Sequence, residues 1–151
     1  MYKFFPNFAV LIVTLLFSFA FVNISNENIS GPGKIIFAKE ANVLFGEISE
    51  SVWISENELS TYIKKCNHYI MFQIKNNKLY ILDDKRNVLF PGSITVKDDD
   101  VFHLFSKEKL SELIALSSVE LIAVEKRGNV LTITKGDYTL EYSAPCPPYC
   151  Y

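Results

Sequence analysis

The 151-residue chain lacks the short motifs by which most catalytic chemistry is recognised. There is no Gly-x-Ser-x-Gly turn to expose a nucleophilic serine. A Walker loop and a Gly-x-Gly-x-x-Gly run are both missing, so no phosphate cradle is written into the sequence. Histidine occurs only at His68 and His103, and no Ser–His–Asp set assembles around either. The 3 cysteines form neither Cys-x-x-Cys nor Cys-x-x-Cys-His, which excludes a thioredoxin-type pair and covalent c-type haem. No residue is therefore assigned a catalytic role, and no enzyme class follows.

An excess of basic charge is also lacking. The formal net charge is −2, and it becomes −3 once residues 1–20, which carry Lys3 and no acid, are set aside. Nucleic-acid binders need a basic face to neutralise phosphates. Here the basic residues are scattered (Lys64-Lys65, Lys75, Lys85-Arg86, Lys107, Lys109, Lys126-Arg127). Nucleic acid is not an expected partner.

What the chain does have begins at its N-terminus. Lys3 precedes an uncharged apolar run from Phe8 to Val22. A basic start, a short apolar stretch and small residues before a cut make a secretory signal. Ser18 and Ala20 fit the −3 and −1 positions for cleavage before Phe21. The alternatives are an uncleaved single-pass anchor and a buried helix, although the run is shorter than the ~20 residues a spanning helix needs. No cysteine follows the run, so lipid attachment is not indicated. The expected location is exported, periplasmic or secreted, with the membrane involved only through an uncleaved N-terminal segment.

Residues 21–40 read as a linker punctuated by Gly31-Pro32-Gly33, and 41–151 as a single domain. Asn23-Ile24-Ser25 and Asn28-Ile29-Ser30 match the glycosylation pattern formally and read as chance matches in a polar stretch. Lys34 to Ala38 is a short apolar run, either a first strand or a second cleavage region. Ala41 to Ile54 is strand-like, broken near Gly46. Ser55 and Glu58 then make a capping box. Leu59, Tyr62, Ile63 and Cys66 follow at i, i+3, i+4 and i+7, one apolar stripe of a helix. Tyr69–Ile74, a turn at Asn76-Asn77 and Leu79–Leu82 predict a hairpin. Asp83 to Asn87 turns into Val88–Phe90.

The same phrase recurs. Ser106 caps a second helix whose stripe, Leu110, Leu113, Ile114 and Ser117, lies 51 positions after the first. In the strands the offset becomes 52, matching Ile70 with Ile122, Leu79 with Leu131 and Ile81 with Ile133. A fixed period marks a duplicated helix-plus-three-strand unit; two unrelated helix–hairpin segments would align in the same way if only their apolar periods matched. Either origin predicts an α+β fold, a mostly antiparallel sheet with two helices on one face.

The chain ends Ala144-Pro-Cys146-Pro-Pro-Tyr149-Cys150-Tyr151. Outside the cytoplasm two close cysteines suggest a disulfide. A polyproline II path would hold Cys146 and Cys150 ~12 Å apart, beyond the ~7 Å limit for a bridge, so a 146–150 clasp demands a turn. Other readings are a bridge from Cys66 to the tail, free thiols, and a metal or redox site. Cys66, His68, Cys146 and Cys150 compose a three-thiolate, one-imidazole set suited to zinc or another thiophilic metal. Cys66 itself lies on an apolar helix stripe, which predicts burial. Cys-Pro-Pro-Tyr-Cys resembles a Cys-Pro-Pro-aromatic-Cys run found just ahead of rhodanese-like domains in some exported bacterial proteins. The resemblance covers residues 146–150 and implies an exported module; no sulfurtransferase residues carry over.

Asp98-Asp99-Asp100 has carboxylates but not EF-hand spacing, and reads as a charged loop. Asp83-Asp84 reads as turn chemistry. The expected function is a small, non-catalytic binding or accessory domain with a protein partner in the cell envelope. Trp53, Tyr149 and Tyr151 are its candidate contacts, while Tyr138 and Tyr142 read as sheet packing. The alternative is a thiol-based metal or redox protein using Cys146 and Cys150.

Overall fold

The computed structural model describes residues 33–92 and 94–141, together with the backbone of 144–146. Along the chain run β1 (Lys34–Phe37), α1 (Ala38–Phe45), β2 (Glu50–Ser55), α2 (Glu56–Ile63), β3 (Tyr69–Lys75), β4 (Lys78–Asp83) and β5 (Val88–Phe90). Then come β6 (Phe102–Ser106), α3 (Lys107–Ala115), β7 (Leu121–Arg127), β8 (Val130–Lys135), β9 (Tyr138–Glu141) and β10 (Ala144–Cys146). The fold is α+β, with two five-stranded antiparallel sheets in place of the single sheet expected. One sheet has the order β1-β9-β8-β7-β2 and the other β10-β6-β3-β4-β5.

Two differences from the sequence reading concern the N-terminal part. Lys34–Phe37, inside the stretch read as a linker, form strand β1, which pairs with β9 from Lys34↔Glu141 to Phe37↔Tyr138. Residues 41–45, inside the stretch read as strand-like, belong instead to α1, which spans Ala38–Phe45. Ala38, Lys39, Glu40 and Ala41 are good helix formers, and Ala41 is fully buried. Gly46, at φ +83°, ends the helix, its N–H donating to the Asn42 carbonyl at 3.1 Å. A left-handed φ favours glycine there.

The period of 51 and 52 residues reappears in the pairing. β2 pairs with β7 through Ser55↔Leu121 and Ile54↔Ile122. β6 pairs with β3 through Ser106↔Tyr69 and Phe105↔Ile70, the same positions with the two units exchanged. Each unit is thus a strand, a helix and three strands, and lends its first strand to the other unit's sheet. The helix starts repeat the exchange. The Glu56 N–H donates to the Glu120 carbonyl at 2.8 Å, and the Lys107 N–H to the His68 carbonyl at 2.9 Å. Ser55 and Ser106 both act as N-caps, accepting from the Glu58 and Lys109 N–H groups. The capping box is half formed, because the Glu58 carboxylate instead accepts from the Tyr62 hydroxyl at 3.2 Å.

The main core lies between the sheets. Val52 and Ile54, Ile122 and Val124, Leu131 and Ile133 come from one; Ile70, Phe72, Leu79, Ile81 and Phe105 come from the other. Helices α2 and α3 complete it with Leu59, Ile63, Leu110 and Leu113. Both helices are under three turns, too short to be stable alone in water, so burial of these stripes holds them. Phe72 and Phe105 meet edge to face at 5.7 Å, a favoured aromatic geometry.

The hairpin turns follow their sequences. Asn76 and Asn77 both have φ +56°, the left-handed pair of a type I′ turn that asparagine tolerates. At the matching place of the second unit Gly128 has φ +56°. Gly136, also left-handed, approaches so closely that an added Cβ would sit 2.7 Å from the Ser117 Oγ.

Candidate functional site

Each sheet ends in an edge strand, and two of those edges face one cleft. β2 is the edge of its sheet and β5 the edge of the other. Between them opens a cleft of about 440 Å³. Its walls are Val52 and Ile54 of β2, Leu79 at the start of β4, and Phe90 and Pro91 at the end of β5. Glu58 and Lys78 bring one charge of each sign to its border. The Asn77 N–H donates to the Glu50 carboxylate at 2.6 Å and ties the β3–β4 turn to the start of β2.

Alternation along β2 sets what faces where. Val52 and Ile54 point into the core, so Ser51 and Trp53 point to the opposite face. Trp53 is 61 % exposed. The Glu56 to Glu120 hydrogen bond lies in step with the β2–β7 ladder. Main-chain groups alternate along an antiparallel ladder; those of Val52 and Ile54 therefore face β7, and those of Ser51 and Trp53 face away from it. This site offers shape, apolar surface and main-chain hydrogen-bonding groups. It places no nucleophile beside a base.

The buried ionisable groups are engaged in structure. Arg127, 2 % exposed, donates to Glu125 at 2.8 Å, to Thr132 at 3.2 Å, to the Gly46 carbonyl at 3.0 Å and to the Asn42 side chain. Lys135 donates to Glu56 at 2.7 Å, to the Ser117 carbonyl at 2.5 Å and to the Ile114 carbonyl. Sequence reading gives no sign that Glu125, Arg127 and Lys135 are buried. Charged residues are ordinarily solvated, although Glu125 and Arg127 do share one strand face at i, i+2.

The other predicted residues are distributed as follows. Cys66 is buried, with its thiol donating to the Tyr62 carbonyl at 3.4 Å. Burial, then the nearby Asp83 and Asp84 carboxylates, push the thiol up to about 11 against the lesser pull of Lys107. It is a free cysteine, held in the protonated form that neither attacks nor ligates. His68 is exposed, its ring meeting Tyr69 edge-on at 6.4 Å and its backbone N–H donating to the Asp84 carboxylate at 3.4 Å. His103 is lowered from the usual imidazole range by burial and then by Lys126. Cys146 is placed as a β10 backbone position opposite Phe102. The residues Cys150, Tyr142, Tyr149 and Tyr151 lie outside the described residues, as does the N-terminal run. Of the proposed metal set, then, only Cys66 and His68 have described side chains. Among the described residues no cluster of three or more His, Cys, Asp or Glu is arranged to hold a metal.

Tyr138 stacks on Phe37 at 5.5 Å. Asp100 belongs to a turn, accepting from the Lys97 N–H at 3.0 Å and from Lys75 at 3.4 Å. Asp83 accepts from the Lys85 and Asn87 N–H groups at 2.9 and 2.8 Å, the local bonding that favours aspartate in turns. Among the described residues no helix is long and apolar enough to cross a membrane.

Compared with known proteins, the chain matches no family model, no curated protein and no solved structure.

Proposed function

We propose that this is a small exported binding domain of the periplasm or cell envelope, which acts by contact with another protein and catalyses no reaction. The observation that carries this reading is the β2 edge: an exposed Trp53 beside an apolar cleft, next to main-chain groups that face away from their own sheet. Tryptophan is among the residues most enriched at the energetic centres of protein interfaces. An open strand edge otherwise invites pairing, and proteins ordinarily blunt it with charge, proline or a covering element. The stretch Ser51–Ser55 carries no charge and no proline. Export rests on the basic start, apolar run and small residues of positions 3–20.

The test is affinity capture. Tagged protein beginning at Phe21 is incubated with a cell-envelope fraction, alongside a Trp53→Ala variant. A partner retained by the first and reduced at least tenfold with the second is the expected result. Recovery of no specific partner from the envelope overturns the reading.

A further inference from the structure

We propose that the β2 edge accepts an extended segment of a partner polypeptide as an added antiparallel strand, in the place that β10 takes on the other unit. It rests on the binding role proposed above. The exchange of first strands makes β2 and β6 equivalent, with Ser51, Val52 and Trp53 matching Phe102, His103 and Leu104. β6 has a strand on both sides. β3 lies on one, and β10 on the other through Ala144↔Leu104, Pro145↔His103 and Cys146↔Phe102. β2 has β7 on one side, and on the other lies the cleft.

The alternation of main-chain groups matches as well. The Lys107 to His68 bond fixes β6 as the Glu56 to Glu120 bond fixes β2. Phe102 and Leu104 therefore turn their N–H and C=O groups toward β10, as Ser51 and Trp53 turn theirs toward the cleft. Pro145, which has no N–H, stands opposite His103, where the β6 main chain faces β3 and requires none. A proline is tolerated only at such a position in a paired strand.

The second open edge points the same way. β9 carries β1 on its outer side, whereas its counterpart β5 pairs only with β4 among the described residues. So, among the described residues, both edges that bear an added strand at one end of the molecule are bare at the other, and both bare edges border the same cleft. The side chains differ accordingly. Leu104, beside β10, is 1 % exposed, and its counterpart Trp53 is 61 % exposed.

The occupant's chemistry follows from the register. Its residues opposite Trp53 and Ser51 bear free N–H groups. Its residue opposite Val52 shares the inward face and enters the space between Val52, Ile54, Leu79 and Phe90. That residue is apolar, and proline suits it. One acid and one base at the border, Glu58 and Lys78, favour a segment with little net charge. Strand addition of this kind takes affinity from main-chain bonds and selectivity from alternate side chains.

The probe is a synthetic peptide copying residues 142–148 with serine in place of cysteine. Amide hydrogen exchange is measured on the protein beginning at Phe21, with the peptide at concentrations up to millimolar. At least tenfold slowing at Ser51 and Trp53 is expected, with a change in Trp53 emission. Ser51→Pro removes an outward N–H without touching the β7 ladder, and is expected to abolish both signals while the urea midpoint holds. Trp53→Pro, read at the Ser51 amide, gives an independent second block. Absent slowing, slowing that persists in Ser51→Pro, or slowing confined to β6 would each overturn the proposal. A dimer seen by sedimentation without peptide, and dissociated by Ser51→Pro, assigns the edge to a second copy and overturns the partner segment. An envelope partner retained equally by wild type and Ser51→Pro overturns strand addition alone, whereas no retained partner overturns the binding role beneath it.

Discussion

On the outer faces of β7 and β8 stand Ala123, Glu125, Arg127, Thr132 and Thr134; at the matching positions of β3 and β4 stand Met71, Gln73, Lys75, Tyr80 and Leu82. The backbone skeleton is common to the two units, yet these faces are closed by opposite chemistry. The first is polar and internal. Glu125 accepts from Arg127 and Thr134 at 2.8 Å each, Thr134 and Thr139 share a hydrogen bond of 2.8 Å, and α1 adds Asn42 and the Gly46 carbonyl. The second is apolar around Met71 and Leu82, with Lys75 exposed at its border. Met71, Leu82, Phe102 and Leu104 cluster with Tyr69, Tyr80 and Val96, and Arg86 lies over the Phe102 ring at 5.5 Å. One skeleton therefore accepts either solution, provided every buried polar group finds a partner. Among the described residues no buried side-chain nitrogen or oxygen is left without one.

The largest test of this contrast is Arg127→Met against Lys75→Met. Removing the guanidinium leaves a buried carboxylate uncompensated, which costs about 3–5 kcal/mol. Lys75 is exposed and meets Asp100 at 3.4 Å, a surface pair whose loss costs under about 1 kcal/mol. Urea unfolding of both variants measures the difference; equal losses would break the comparison.

A smaller contrast lies where strand meets helix. Lys135 and Lys107 come from different elements, yet each donates to a carbonyl at the end of a helix, Ser117 at 2.5 Å and Cys66 at 2.7 Å. These carbonyls are themselves equivalent, 51 positions apart. Lys135 is 1 % exposed and also holds Glu56, so Lys135→Met is expected to cost about 2–4 kcal/mol. Lys107→Met should cost only about 1 kcal/mol. Denaturant midpoints again decide, and a reversed order would refute the assignment of Lys135 as the principal tie.

The equivalent of Cys66 is Ser117, which does not titrate in the accessible range. The folded Cys66 thiol lies near 11 against an ordinary 9.0. The unfolded chain therefore loses this proton first as pH rises. The stabilisation is complete below pH 9 and is lost through pH 11, by an amount on the order of 2–3 kcal/mol. Cys66→Ser is expected to flatten that limb of the stability–pH curve; an unchanged limb would assign it to other groups.

The smallest test sharpens the likeness itself. Ser55→Ala and Ser106→Ala each remove one N-cap, at a cost of about 1 kcal/mol. Near-equal losses that add in the double variant are expected from thermal melts. Strongly unequal losses would show that the two helix starts are equivalent in geometry only.

How much of this was legible beforehand varied with the range of the interaction. Both capped helices, the Asn76-Asn77 turn and the 51-residue offset were readable, since each depends on neighbours within about a turn. Residues 41–45 read as strand-like, whereas their helix is decided by tertiary contact, with Ala41 buried and the Asn42 side chain accepting from Arg127 of β7. The candidate site was legible only in Trp53. Leu79, Phe90 and Pro91 gave no signal, being ordinary strand residues until the sheets bring them opposite β2.

By itself, then, the sequence determined the α+β class, the helix stripes and starts, the principal hairpins and the period, because these follow from local backbone preference and apolar spacing. Tertiary structure alone decided that the units exchange first strands, that Glu125, Arg127 and Lys135 are buried, and that among the described residues one pair of edges is filled while the other stays open. Those outcomes depend on contacts between residues as far apart in sequence as Lys34 and Glu141, and no local pattern encodes which distant strand will meet which.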